Sequence, residues 1–511
     1  MAYLLGVDVG TTSTRALVIE DQGAVISSRA REYPLHTPRP NWAEQDPHEW
    51  WTATVASIRE ATAEAGISSD AIKGVGLSGQ MHGSVFLDES DEVIRPAILW
   101  CDQRTAKQCE SITETVGEAD LVAETCNPVL TGFTAPKIIW LREQEPESFA
   151  RVRRVLLPKD YVRLRLTGEY ATEVSDASGT SLFNVPERRW SDLILDRLEL
   201  PREMLPEVFE SPEVSGAIAA EAAAETGLAQ GTPVVGGGGD QAAGGVGNGI
   251  VQPGVISSTI GTSGVVFAHL DEPVMDAKLR THTFCHAVPG KWHVMGVMLS
   301  AGGSLRWLRD TVCSEERAAA EASGRDPYDL MTEAAAQAPA GSEGLLFLPY
   351  LTGERTPYPN PNARGVFFGL SLRHTRAHLI RAVMEGVAYG LCDSLAIIEE
   401  MGVQVRQVRA SGGGARSELW RQIQTDVTGH PHSVINVDEG PAYGVALLAA
   451  VGAGLYDTVQ DACEATIHVV DTRQVIPEHR EIYGGHYALY RRLYARLESS
   501  FDAVAELIHD K

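Results

Sequence analysis

Two stretches far apart in this chain repeat one device, and the repetition limits the folds open to it. Tyr3-Leu-Leu-Gly-Val-Asp8-Val-Gly10-Thr11-Thr12-Ser13-Thr14-Arg15-Ala-Leu-Val-Ile19 and Ile256-Ser-Ser-Thr-Ile-Gly261-Thr262-Ser263-Gly264-Val-Val-Phe-Ala268 each run as an apolar strand, a turn of glycine and small hydroxyl residues, and an apolar return. The pattern predicts a β-hairpin in both places. Such a hairpin gathers N–H and O–H donors at its tip. In the first copy it adds the Asp8 carboxylate, a set suited to a phosphate and its magnesium ion. Either copy alone reads equally as a plain hairpin with a polar turn. Their recurrence favours an internal duplication: two α/β lobes, each opening with a phosphate-type hairpin that faces a shared central cleft. Glycine, asparagine and proline concentrate between Gly247 and Gly254, which predicts lobes of residues 1–247 and 248–511.

The chain is long enough for each lobe to bury a core, with 511 residues of which 44% are hydrophobic and 22% charged. No apolar run approaches the roughly 18 residues of a membrane span. Tyr3-Leu-Leu-Gly-Val also lacks the basic flank and cleavage site of a signal peptide. The expectation is a cytoplasmic protein with no membrane partner. A formal charge of −25 argues against nucleic acid as a partner. It leaves an anionic substrate open, since backbone N–H groups and a metal ion supply local positive charge. The seven cysteines are scattered, without a Cys-x-x-Cys pair, and read as reduced structural thiols.

The strongest single candidate is Pro233-Val-Val-Gly-Gly-Gly-Gly-Asp240-Gln241, a short buried strand that empties into four glycines and delivers a carboxylate. Bare backbone there leaves room for a ligand, and Asp240 reads as a catalytic base. The competing reading is a helix-capping aspartate after a flexible turn. Ahead of it, Ile72 to Leu77 reads as a strand that ends in Ser78-Gly-Gln80-Met81-His82-Gly83, a polar loop placed to meet a substrate. Trp100, Asp102 and Arg104 alternate, which puts them on one strand face, where they either line a polyol pocket or form an ion pair. Ser300-Ala-Gly302-Gly303-Ser304 opens a helix whose first N–H groups either face phosphates or cap a packed helix. Ser411-Gly412-Gly413-Gly414-Ala415-Arg416-Ser417 is a strand, glycine turn and helix start at which backbone can approach a base or ribose. A Walker-type phosphate loop is absent. The one Gly-x-Gly-x-x-Gly match, Gly74 to Gly79, lies inside a strand that leads to another strand, which excludes a dinucleotide site.

Taken in order, Gly6-Val-Asp8-Val-Gly10-Thr11-Thr12, Gly79-Gln80-Met81-His82-Gly83, Gly132-Phe-Thr-Ala-Pro-Lys137, Leu157-Pro-Lys159-Asp160-Tyr161, Gly239-Asp240, Gly261-Thr262-Ser263-Gly264, Gly353-Glu354-Arg355-Thr356-Pro357 and Ser411 to Ser417 resemble the motifs of the FGGY carbohydrate kinases, most closely those that act on D-xylulose. The resemblance covers nearly the whole chain. It implies two ribonuclease H-like lobes of the actin and sugar-kinase type, with MgATP and sugar meeting in the cleft. It implies Asp240 as general base and Asp8 as the residue that orients metal and phosphate. It further implies Met81 and His82 with Asp240 and Gln241 on the sugar side, to which the strand reading adds Trp100 and Asp102 as candidates. On the nucleotide side it implies Thr11, Thr12, Gly261, Thr262, Gly302, Gly303, Gly413, Gly414 and Ser417. Where Gln241 stands, the family pattern leads one to expect Asn, which puts a direct sugar contact in doubt. The resemblance also suggests a homodimer. Two other readings remain open at this point: a kinase for a different polyol or ketose, and a non-catalytic nucleotide-dependent switch. Retention of both Asp8 and Asp240 speaks against the switch.

Overall fold

The computed structural model describes residues 2–509 as two α/β lobes, each built on one large sheet. In the first, the strands lie in the order Val214–Ala217, Pro233–Val235, Ile72–Gly79, Tyr3–Val9, Ser13–Glu20, Val25–Glu32. In the second, an equivalent run reads Val469–Arg473, His432–Ile435, Gln407–Ser411, Val255–Ile260, Gly264–Leu270, Trp292–Met298, with His282–Cys285 added at the edge. Pairing senses match along both runs. The opening hairpin and its neighbour are antiparallel, the next two junctions are parallel, and the last is antiparallel. Both hairpins close through the glycine N–H, Gly10 donating to the Ser13 carbonyl at 3.0 Å and Gly261, across a turn one residue shorter, to the Ser263 carbonyl at 2.9 Å.

Local chemistry explains the flanking helices. Pro47–Ala65 starts where Asp46 accepts the His48 N–H with Pro47 in the first turn, and it ends at Gly66, whose φ is 65°. It buries Trp50, Trp51 and Ile58 on the first sheet. Each fully buried aliphatic side chain on such a face contributes roughly 1.5–3 kcal/mol. In the second lobe Arg376–Glu400 is buried along most of its length. The final helix, Pro477–His509, sets Tyr483, Tyr490, Tyr494 and Phe501 into the same core. A separate apolar cluster draws on residues from Phe86 to Leu205 and on Cys285 of the second lobe, while Phe133 packs with Phe267 and Phe284 of the second lobe.

Two helices join the lobes. Asp240–Gly247 ends the first half of the chain, yet a Cβ on its Gly245 would collide with Phe267 of the second sheet. Gly440–Gly452 belongs by position to the second half but lies on the first sheet, and a Cβ on Gly6 or Gly76 would overlap the carbonyl oxygens of Ala442 and Val445. The glycines of Gly74-Val-Gly76 therefore serve helix-on-sheet packing. The two helices cross at Gly444, where a Cβ would overlap the Ala243 carbonyl.

Candidate active site

Asp8 stands near the end of Tyr3–Val9, paired in register with Ser78 on one side and Arg15 on the other. Its Oδ1 is buried and has no hydrogen-bond partner. Asp240 is the first residue of its helix and faces the same cleft, a space of about 320 Å³ that Gln241, Thr259, Ser411 and Gly412 also line. Burial lifts the Asp8 carboxyl to a pKa of about 6, with Ser78 and Arg15 acting against it. Burial and then the Asp8 charge lift Asp240 to about 7, while backbone and side-chain hydrogen bonds from Gln241 pull it down. A carboxylate with a pKa near neutrality, at the end of a strand and open to a cleft, is suited to taking a proton at physiological pH.

Three of the four glycines before Asp240 make room for protein rather than for a ligand, contrary to the sequence reading. A Cβ on Gly236 would meet the Glu210 carbonyl at 2.6 Å, one on Gly237 would overlap the Leu77 carbonyl, and one on Gly239 would meet Met81 Cγ at 2.9 Å. The approach is to neighbouring backbone and to Met81, and it presses the strand exit into place. Beneath it lies a charge cluster that sequence reasoning missed. Arg163 donates to Ser215 and to the Val235 carbonyl, both at 2.6 Å. Lys159 pairs with Asp160 at 2.7 Å and Asp176 at 2.9 Å, all fully buried. Burial opposes the Lys159 charge, but the carboxylates of Asp160, Asp176 and Glu173 outweigh it and raise the pKa. Ser175 then accepts the Gly239 N–H at 3.0 Å. The legible signal was the Lys159-Asp160 pair; its partners are brought in by tertiary packing.

On the sugar side, Met81 is buried against Gly239. His82 sits at φ 69° and sends its Nδ1 to the Gly179 carbonyl at 2.7 Å. Because a carbonyl only accepts, Nδ1 carries the proton and Nε2 is left as an acceptor. Burial, helped by the Lys137 charge, holds the imidazole down to about 3, so it is neutral. The ring stacks on Phe133 with centroids 4.6 Å apart. Lys137 donates to the carbonyls of His82 and Gly132 at 2.8 and 2.6 Å, which fixes that loop. Trp100 is partly exposed and donates to the Thr11 hydroxyl at 3.0 Å, tying the sugar-side loops to the hairpin tip. The expected strand alternation of Trp100, Asp102 and Arg104 fails. The strand is only Ala97–Ile98, and these residues follow it in a turn. Asp102 is fully buried, both oxygens held by Arg104 and one also by the Ala43 N–H, so it forms the ion pair, and it does not line the cleft of Asp240.

Nucleotide-side candidates converge on a second cavity of about 360 Å³, lined in part by Gly261, Thr262, Gly302, Gly413, Gly414 and Ser417. Gly413 alone of the glycine turn faces open space, whereas Cβ atoms on Gly412 and Gly414 would press on Ile260. The N–H groups of Gly302 and Gly303 are already used, donating to the Gly261 and Thr262 carbonyls at 2.9 and 3.0 Å. The helix start is therefore a packed cap, and its phosphate reading fails for those two donors. Asp326, Tyr328 and Asp329 complete the wall and went unrecognised. Their signal was the Asp326-Pro327 helix start, with Asp326 accepting the Tyr328 N–H. Thr11 and Thr12 line neither cavity and stay at the first hairpin's tip. Among the described residues no group of three His, Cys, Asp or Glu side chains is placed to hold a metal alone, and no helix is long and apolar enough to cross a membrane.

The family model for the N-terminal domain of the FGGY family of carbohydrate kinases matches residues 3–247, and the one for the family's C-terminal domain matches residues 256–453. The chain belongs to the FGGY family of carbohydrate kinases. Xylulose kinase of Escherichia coli strain K12 is 41% identical over 450 residues, 88% of this chain and 90% of that protein. The crystal structure of xylulose kinase from Rhodospirillum rubrum superposes with a TM-score of 0.89 at 31% identity, covering 98% of this chain and all of that one. Gluconokinase of Bacillus subtilis strain 168 is 32% identical over 510 residues, 99% of this chain and 98% of that protein. As a carbohydrate kinase of this family, the protein is an ATP-using phosphotransferase with two facing α/β lobes.

Proposed function

We propose that this FGGY kinase transfers the γ-phosphoryl group of ATP to the 5-hydroxyl of D-xylulose, giving D-xylulose 5-phosphate and ADP. The observation that carries the mechanism is Asp240, a cleft carboxylate raised to about 7. It takes the hydroxyl proton as the sugar oxygen bonds to phosphorus and the bond to the ADP oxygen breaks. Met81 and the Nε2 acceptor of His82 hold the sugar, with Trp100 at the entrance, and the cavity beside Gly413 and Ser417 holds the nucleoside. Asp8 would hold magnesium. Its buried Oδ1 lacks a partner and lies in the same cleft as Asp240, and magnesium is bound through one or two carboxylates together with phosphates and water. Bound there with nucleotide, the ion supplies positive charge against the phosphate oxygens. A cytoplasmic homodimer is part of this reading. The choice of D-xylulose rests on the similarity to xylulose kinases; the similar gluconokinase makes gluconate the second reading.

The deciding experiment is an ADP-release assay with D-xylulose, D-ribulose, L-ribulose, L-xylulose, glycerol and gluconate. D-Xylulose gives the highest kcat/KM. A higher value with gluconate or glycerol overturns the sugar assignment and leaves the kinase standing.

A further inference from the structure

The second lobe carries a third cavity, of about 310 Å³, which shares no lining residue with the cleft or the nucleotide cavity. Its floor is Asp393, in the interior of the Arg376–Glu400 helix and only 3% exposed. Asp393 Oδ1 accepts the Tyr487 hydroxyl at 2.7 Å and has Arg491 Nε at 3.6 Å, while Oδ2 has no partner at all. An unmatched buried carboxylate oxygen carries a desolvation cost, so its presence on a cavity wall points to a ligand hydroxyl. Around it stand the cations Lys278, Arg280 and Arg491, with Glu400 as the second carboxylate of the lining. Arg280 is neutralised by Asp276 and Glu400. Lys278 makes no ion pair among the described residues, and Arg491 reaches over Asp393 with its side chain half exposed. One wall is Pro357 with Tyr358, whose ring lies flat on Tyr494 at 3.5 Å, a rigid apolar face for a carbon skeleton.

We propose that this cavity is a second ligand site, which binds a small acyclic hydroxylated phosphate through Lys278 and Arg491 at the anion and Asp393 at a hydroxyl. Phosphorylated polyols and ketoses are the class that fits the volume and the charge. The wall residues Pro357 and Tyr358 follow directly on Arg355-Thr356. The Thr356 hydroxyl donates to the Arg280 carbonyl at 2.8 Å, and Arg355 lies within electrostatic reach of His82.

Isothermal titration tests this with three probes: D-xylulose 5-phosphate, inorganic phosphate and D-xylulose. In the wild-type chain the sugar phosphate shows a binding component that the Lys278→Gln/Arg491→Gln double variant loses, while the variant's kcat with ATP and sugar is unchanged. Asp393→Asn weakens the sugar phosphate by about tenfold or more and leaves inorganic phosphate unaffected. The lost component is read separately from any binding in the cleft, which both proteins retain, so failure of the proposed kinase substrate does not mimic failure here. Identical isotherms for wild type and double variant overturn the site. Inorganic phosphate binding as tightly as the sugar phosphate overturns the role of Asp393.

Discussion

Arg163 donates to the carbonyl oxygen of Gly236 at 2.5 Å, from within a charge cluster that has no access to solvent. With the Val235 contact from its other nitrogen and the Ser175 bond to Gly239, the chain leading to Asp240 is held at three successive points. The cluster acts on the base only through backbone, which makes Arg163 a positioning residue. Arg163→Lys keeps the charge and loses the fork, so kcat falls while KM for sugar and ATP changes little. Arg163→Met leaves Asp160 short of a buried counter-charge and costs about 3–5 kcal/mol of stability, read as a lowered Tm. Unchanged kcat per folded molecule in Arg163→Lys would reduce the residue to a structural one.

Asp240→Asn retains size and hydrogen bonding and removes basicity. Turnover falls by about 10²-fold or more, with binding of a non-hydrolysable ATP analogue intact. Near wild-type turnover in this variant would falsify the base assignment.

The raised carboxyl values set the pH behaviour. A base acts only when ionised, so kcat/KM rises as pH climbs through about 7, the value for Asp240. Part of that elevation comes from the Asp8 charge. In the residual activity of Asp8→Asn the acid limb therefore moves to lower pH, although the rate itself drops. Stability runs the other way. Between the ordinary carboxyl value of 3.8 and about 7 the folded chain holds protons on Asp240, Asp8 and Asp393 that the unfolded chain has released. The contribution of these three groups to stability therefore declines as pH rises through this window, while the buried neutral His82, His282, His293 and His432 contribute in the opposite sense. Denaturant midpoints of the ligand-free wild type and Asp240→Asn across that range check the sign: the wild type loses ground relative to the variant as pH rises, and a constant difference contradicts the raised value of Asp240.

Where a structural feature depends on neighbours in sequence, the residues announced it. The paired hairpins, the Asp46-Pro47 helix start and the carboxylates Asp8 and Asp240 were all legible, because each rests on local spacing. Asp102 was not, since its partner could be read as Arg104 but its burial under Ala43 depends on tertiary packing. The glycine run before Asp240 and the Gly302-Gly303 pair look alike in sequence whether backbone or ligand comes close, and only the Leu77 and Gly261 carbonyls decide it. The placement of Gly440–Gly452 on the first sheet was hidden for the same reason: its partners Gly6 and Gly76 lie in the other half of the chain.

His82 acts as an acceptor because Gly179 takes its one proton. His82→Ala raises KM for the sugar with little change in ATP affinity, since an unmatched sugar hydroxyl costs roughly 1–3 kcal/mol. Because burial keeps the ring neutral down to about pH 3, the sugar KM has no limb near pH 6.5. A limb there, absent in the alanine variant, contradicts the neutral tautomer.

The crossing of Asp240–Gly247 and Gly440–Gly452 gives the last test, because one of the two helices begins with the proposed base, Asp240. At Gly444 an added methyl would overlap the Ala243 carbonyl, and that obstacle is helix backbone with no rotamer to yield. Gly444→Ala therefore forces the helices apart, at about 1–3 kcal/mol or more. Asp240 moves with its helix, and kcat falls along with Tm. Gly484→Ala provides the contrast. It lies inside the Pro477–His509 helix with nothing within 4 Å of the added carbon, and helix propensity predicts a gain of roughly 0.5–1 kcal/mol with activity unchanged. Paired melts and kcat measurements separate the two effects: equal tolerance at both positions would mean that the lobes do not depend on this close crossing.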